Sequence, residues 1–205
     1  MTLDEILGLA PVVPVLVVED VAHAIPLGRA LVAGGLKALE VTLRTPAALE
    51  VIAAMAEIEG AVVGAGTVLN QQDWRAAAAA GARFVVSPGL FDGAGPDGPT
   101  PLLPGVATAT ELMDGLSRGL TRFKLFPANV AGGTMALKAF ASPFPTARFC
   151  PTGGIDAANA ADYLALPNVI CVGGSWVAPA DAVRAGEWDR ITRIARVAAS
   201  LARAG

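Results

Sequence analysis

Short runs rich in Val, Ile and Leu centre near Val15, Leu39, Val63, Val85, Leu103, Lys124, Phe149 and Cys171, and most intervals between them are Ala- and Leu-rich with helical spacing. This rhythm predicts eight repeats of a strand followed by a helix. Strand-to-strand steps of about 17 to 26 residues suit βα units, and runs apolar on both faces suit a parallel sheet. The prediction is therefore an α/β fold, a single (β/α)8 TIM barrel spanning residues 1–205 with a short N-terminal helix. Thr2 and Glu5 form a capping box for that helix, and Gly8 and Pro11 end it. An open doubly wound sheet is the alternative, although no Gly-x-Gly-x-x-Gly follows the first strand.

Other boundaries are legible. Thr45-Pro46 offers an N-cap, Thr108 to Glu111 a second capping box, and Asp156 a cap for a helix over 157–164. Trp74 to Gly81 predicts an Ala-rich helix closed by glycine, and Trp188 to Arg203 a long final helix with arginines outward. Gly93, Gly95, Pro96, Gly98 and Pro99 forbid a regular helix between Leu90 and Pro101, so an irregular loop belongs there.

One strand carries a charge where none belongs. In Thr-Arg-Phe-Lys-Leu-Phe-Pro, residues 121–127, alternation puts Arg122, Lys124 and Phe126 on one face and Phe123 and Leu125 on the other. A buried ammonium costs several kcal/mol unless it is paired or gives up its proton, which leaves a nucleophilic amine. Alternatively, the stem packs and the head reaches solvent at the strand end.

Composition narrows the partners. The chain has 205 residues, 54% of them hydrophobic, and a net charge of −3 without a basic stripe, so nucleic acid and membrane surfaces are not expected partners and small molecules are. The positive mean hydropathy comes from Ala and Val, and apolar runs such as Ala10 to Val18 are strand-sized rather than the roughly 20 residues of a membrane span. The first residues show no secretory signal, so a cytoplasmic location is expected. Cys150 and Cys171 read as reduced core thiols, and His23, at the start of a helix, as a solvated surface residue.

The working face of such a barrel lies at the strand C-termini, where polar residues collect. The second strand ends Glu40-Val-Thr-Leu-Arg44, with Glu40, Thr42 and Arg44 on one face; the third ends Gly64-Ala-Gly-Thr67 and the fourth Val86-Ser-Pro-Gly89. The seventh and eighth run into Thr152-Gly-Gly154 and Gly173-Gly-Ser175, glycine turns whose N–H groups can cradle a phosphate. A lysine for imine formation, a carboxylate for proton transfer, an arginine for a carboxylate and an amide nest for a phosphate together predict a phosphorylated keto acid as substrate.

Leu-Glu-Val-Thr-Leu-Arg (39–44), Gly-Ala-Gly-Thr-Val-Leu-Asn (64–70), Ser-Pro-Gly-Leu (87–90), Phe-Lys-Leu-Phe-Pro-Ala (123–128), Arg-Phe-Cys-Pro-Thr-Gly-Gly-Ile (148–155) and Val-Gly-Gly-Ser-Trp (172–176) closely resemble the 2-keto-3-deoxy-6-phosphogluconate (KDPG) and 4-hydroxy-2-oxoglutarate aldolases. The resemblance implies a class I aldolase of the Entner–Doudoroff pathway, with Lys124 as Schiff-base lysine and Glu40 as general acid/base. It implies that Arg44 and Thr67 bind the pyruvyl carboxylate and that Pro88 and Phe126 line the pocket. Thr152 would contact the sugar hydroxyls, and Gly153, Gly154, Gly174 and Ser175 would hold the phosphate. It further implies no metal, no cofactor beyond the covalent Schiff base on Lys124, and a homotrimer. Arg122 either favours the neutral Lys124 amine by like-charge repulsion or pairs with a core carboxylate. The alternatives are the aldolase for the galactonate epimer and a non-catalytic barrel that binds a sugar phosphate. Two segments depart from the family pattern: the Gly/Pro-rich 91–100, where a helix is expected, and Ala128 to Ala131.

Overall fold

The computed structural model describes residues 1–203 and has an α/β architecture. Its elements are α1 (Leu3–Leu7), β1 (Val12–Leu16), α2 (Ala24–Ala33), β2 (Ala38–Thr42), α3 (Ala48–Ala56), β3 (Val62–Gly66), α4 (Gln71–Ala79), β4 (Phe84–Val86), β5 (Leu102–Leu103), β6 (Gly105–Val106), α5 (Ala109–Ser117), β7 (Arg122–Leu125), α6 (Gly133–Ala141), β8 (Arg148–Phe149), α7 (Ala160–Leu164), β9 (Val172–Gly174), α8 (Ala180–Arg184) and α9 (Trp188–Ala199). Six strands form a curled parallel sheet in the order β5-β4-β3-β2-β1-β9, and β6-β7-β8 form a second parallel sheet. The order lacks the reversal of a doubly wound sheet, because β1 is flanked by β2 and the last strand.

Two links connect the sheets. Pro104 divides the fifth predicted strand, so that β5 pairs with β4 while β6 pairs with β7, and the Pro104 carbonyl accepts from Lys124 N at 2.8 Å. Proline has no N–H to give to a ladder, which makes this a natural place for a strand to change partners. At the other side Ile170 N donates to Phe149 O and Gly173 N to Pro151 O, both at 2.9 Å, and Thr152 bridges to Gly173.

Period-two alternation sorts the strand residues into two apolar clusters. Leu39 and Val41 of β2, Val85 of β4 and Phe123 and Leu125 of β7 belong to the larger one, packed with the helices. Val13, Ala38, Phe84, Val86, Leu103, Cys150 and Cys171 form the smaller one, completed by Ile6 and Leu7 of α1. Helix α1 therefore plugs the inner side, and its capping box forms as the sequence predicts.

The structure revises several boundaries. Thr45 does not cap α3, whose first residue is Ala48, because its hydroxyl donates instead to Val18 O at 2.8 Å. Asp156 caps a turn, accepting from Ala158 N at 2.8 Å, and the helix starts only at Ala160. The last helix ends at Ala199 rather than Arg203. His23 is half-buried edge-on against Trp188 rather than fully solvated. Residues 90–101 contain no helix, as expected, and Phe91 packs edge-on against Trp74.

Candidate active site

Lys124 lies on β7 with the parity opposite to Phe123 and Leu125, so it points to the inner side, above the small apolar cluster. Glu40 shares the inward parity of Ala38 on β2. The two side chains meet there: Lys124 Nζ lies 3.3 Å from Glu40 Oε1, and each side chain keeps only 4% of its surface exposed. The lysine does not snorkel to solvent. A single 3.3 Å contact is longer than a strong charge-assisted bond, so it leaves hydrogen-bonding capacity unused on both groups. Removing one member would strand the other at a cost of about 3–5 kcal/mol.

Backbone chemistry makes room for the carboxylate. Gly66 is the register partner of Thr42, and a Cβ at Gly66 would fall on the Glu40 side chain. The Thr42 hydroxyl is used elsewhere, donating to Leu16 O at 2.9 Å. Nζ of Lys124 also sits 5.0 Å from the Phe126 ring centroid, so Phe126 borders that side chain.

Just beyond the ends of β2 and β3, Arg44 Nε donates to Thr67 Oγ1 at 3.1 Å. Thr67 adopts φ +59°, which costs a β-branched residue about 1–3 kcal/mol and turns its hydroxyl to the arginine. Arg44 is exposed and has no carboxylate partner among the described residues, so its remaining N–H groups can receive an anionic ligand. Pro88 is half-buried, with its carbonyl over Gly105, the register partner of Lys124; the Ser87 hydroxyl donates to Gly89 O at 2.7 Å and orders that turn.

Across the interior, Thr152 is buried and its hydroxyl approaches Cys150 O at 3.5 Å. Its bridge to Gly173 sets the turn at Gly153 and Gly154 beside the one at Gly174 and Ser175. Gly153 and Gly154 have φ +100° and +72°, a conformation that side chains rarely adopt. Every residue predicted for the site therefore lies at the C-terminal end of the strands or on the inward face just below it.

Arg122 goes elsewhere. It is held bidentately by Asp4 of α1, with Nη2 2.8 Å from Oδ2, at the opposite end of the interior, so neither reading of it as a neighbour acting on Lys124 nor as the partner of a core carboxylate fits: Asp4 is exposed. Two features escaped the sequence reading. Gly66 could have been found from its alternation with Gly64 opposite Glu40, and Asn129 packs its side chain where a Cβ on Gly154 would stand. A hydrogen bond with the Cys150 thiol, then burial, pushes the Cys171 thiol well above its ordinary range, which makes it a poor nucleophile.

A lysine and a carboxylate sealed together below an open arginine and two glycine turns form a site for imine chemistry on an anionic carbonyl compound. Comparison with known proteins agrees. Residues 3–194 match the sequence model of the KDPG and KHG aldolase family. The chain is 54% identical over 198 residues to a 2-dehydro-3-deoxy-phosphogluconate aldolase of Pseudoalteromonas atlantica, covering 95% of this chain and 92% of that protein. The crystal structure of a Legionella pneumophila KDPG aldolase, with pyruvate captured at low pH as a covalent carbinolamine intermediate, superposes with a TM-score of 0.93 at 44% identity, covering 96% of this chain and 98% of that one. The 2-keto-3-deoxy-6-phosphogluconate aldolase of Zymomonas mobilis, solved with 3-phosphoglycerate, superposes with a TM-score of 0.92 at 53% identity, covering 98% of this chain and 96% of that one.

Proposed function

The chain belongs to the KDPG and KHG aldolase family, and from that premise we propose that it is a class I aldolase, a carbon–carbon lyase that cleaves 2-keto-3-deoxy-6-phosphogluconate to pyruvate and glyceraldehyde 3-phosphate. The observation that carries this reading is the buried Lys124–Glu40 contact at 3.3 Å. The neutral amine of Lys124 attacks the C2 ketone and forms a carbinolamine, the kind of adduct captured with pyruvate in the Legionella enzyme. Loss of water gives an iminium that accepts electrons. Glu40 takes the C4 hydroxyl proton, the C3–C4 bond breaks into the iminium, and glyceraldehyde 3-phosphate leaves. The enamine left on Lys124 is protonated at C3, and hydrolysis releases pyruvate and the free amine. The reaction so written uses no metal ion, and the covalent lysine adduct takes the place of a cofactor.

Arg44, oriented by Thr67, grips the pyruvyl carboxylate, and Phe126 and Pro88 flank the reacting carbons. Thr152 contacts the sugar hydroxyls, and Gly153, Gly154, Gly174 and Ser175 hold the phosphate, a role supported by the positive φ of Gly153 and Gly154 and by the 3-phosphoglycerate complex of the Zymomonas enzyme. The links at Pro104 and at Thr152–Gly173 support closure of the two sheets into one eight-stranded (β/α)8 barrel and a single domain over the chain. Exposed Val17, Leu69, Val130 and Met135 are consistent with a homotrimer, for which light scattering is the test. A cytoplasmic location fits a chain in which no described helix is long and apolar enough to cross a membrane.

Incubation with pyruvate and borohydride should reduce the imine and leave a permanent adduct on Lys124, located by peptide mass spectrometry. A protein that binds sugar phosphate and yet acquires no adduct would instead be a binding module. Turnover on the gluconate and galactonate epimers and on 4-hydroxy-2-oxoglutarate ranks the substrates.

A further inference from the structure

Three successive carbonyls in the turn after β8 are held by protein donors. Thr152 O accepts from Ala128 N at 2.8 Å, Gly153 O from Asn129 N at 3.1 Å, and Gly154 O from Asn159 Nδ2 at 2.9 Å. In a trans peptide the carbonyl and the following N–H point in opposite directions. The N–H groups of Gly153, Gly154 and Ile155 are therefore all turned away from those donors, and among the described residues none of the three donates a hydrogen bond. Three successive N–H groups left unused in one turn are what a phosphoryl group needs from a backbone nest.

The first two carbonyls are held by main-chain donors, a consequence of the pairing between 128–129 and 152–153. The third depends on one side chain. Asn159 is itself fixed by a reciprocal arrangement: its Oδ1 accepts from Asp156 N at 3.0 Å, while Asp156 Oδ1 accepts from Ala158 N at 2.8 Å and Asn159 N at 3.3 Å. The turn 156–159 thus forms a bracket whose remaining donor is aimed at Gly154 O.

We propose that Asn159 is the positioning residue of the phosphate-binding turn, holding Gly154 O so that the Ile155 N–H joins those of Gly153 and Gly154 on the substrate's phosphoryl oxygens. This inference rests on the phosphate role proposed above for Gly153 and Gly154. Without the Asn159 carboxamide, the Gly154–Ile155 peptide can rotate, because glycine at 154 imposes little resistance, and its carbonyl can swing towards the anion. Asn159 does not touch the reacting carbons, so the effect belongs to phosphate recognition and not to bond cleavage.

The test is steady-state kinetics of Asn159→Leu, which keeps the branching at Cγ but has no donor or acceptor, and of Asn159→Ser, which keeps an acceptor for Asp156 N but is too short to reach Gly154 O at the same time. Both should raise KM for the phosphorylated substrate by about tenfold or more, the worth of one hydrogen bond to a charged group, with kcat changed much less. KM for unphosphorylated 4-hydroxy-2-oxoglutarate should move far less, and inorganic phosphate should weaken as a competitive inhibitor by a factor similar to the phosphorylated substrate. An unchanged KM for the phosphorylated substrate in a folded variant overturns the proposal, as does an equal rise for both substrates. Pyruvate with borohydride should label Lys124 in the wild type and variants alike. A wild type that takes no label overturns the aldolase reading itself, an outcome separate from a labelled variant with unchanged KM.

Discussion

Arg122 and Lys124 stand two residues apart on β7, on the same face, yet they meet opposite ends of the interior and are held in opposite ways. Arg122 is partly exposed, and Asp4 of α1 clasps it bidentately, so both its geometry and its charge are saturated. Lys124 is sealed from solvent with one long contact to Glu40. The first arrangement fastens the plugging helix; the second leaves a lysine and a carboxylate side by side with hydrogen-bonding capacity to spare. Saturation of a cation's hydrogen bonds thus separates a clamp from a reactive group better than its position on the strand does.

Substitutions can break that contrast. The largest effect is expected from Lys124→Ala, which should lower cleavage to the uncatalysed background, at least about 10⁴-fold, and abolish borohydride trapping. Because Glu40 is then buried alone, the same variant should lose about 3–5 kcal/mol in denaturant titrations, whereas replacing both groups by Met and Leu should restore most of that stability and none of the activity. Glu40→Gln should lower kcat by about 10²- to 10⁴-fold while pyruvate is still trapped on Lys124, which would separate proton transfer from nucleophilic attack. Arg44→Lys keeps the charge but loses the planar fork, and an increase in KM of about tenfold or more is expected for the keto acid. At the clamp the effects should be small: Asp4→Asn should cost less than about 1 kcal/mol, lower the melting temperature by no more than about 2–4 °C, and leave turnover within about twofold. A clamp variant that lost activity as severely as Glu40→Gln would show that the two ends are not independent.

The inward face of β7 was legible because alternation is a local property, visible in seven residues around Lys124. The carboxylate at Glu40 and the arginine at Arg44 were legible for the same reason. What escaped the sequence was long-range. The partner of Arg122 lies 118 positions away in a helix whose own capping pattern gives no hint that Asp4 has a second duty. Thr45 has the signature of an N-cap, but the neighbouring Val18 carbonyl takes its hydroxyl, and the helix begins later. The bracket at Asp156 and Asn159 resembles an ordinary helix start; only the position of Gly154 O reveals the use of its remaining donor. Competition between local and distant partners for one polar atom is the common cause.

Gly66 has a consequence for redesign. Because the Glu40 carboxylate lies against bare main chain at Gly66, its position on that side is set by strand spacing and not by a neighbouring side chain. A protein engineer can therefore vary the rim to admit other aldehydes while the carboxylate proposed for proton transfer keeps its backing. The same feature predicts that one added methyl group, in Gly66→Ala, should silence the enzyme by displacing the Glu40 carboxylate while every proposed reacting residue stays in the sequence.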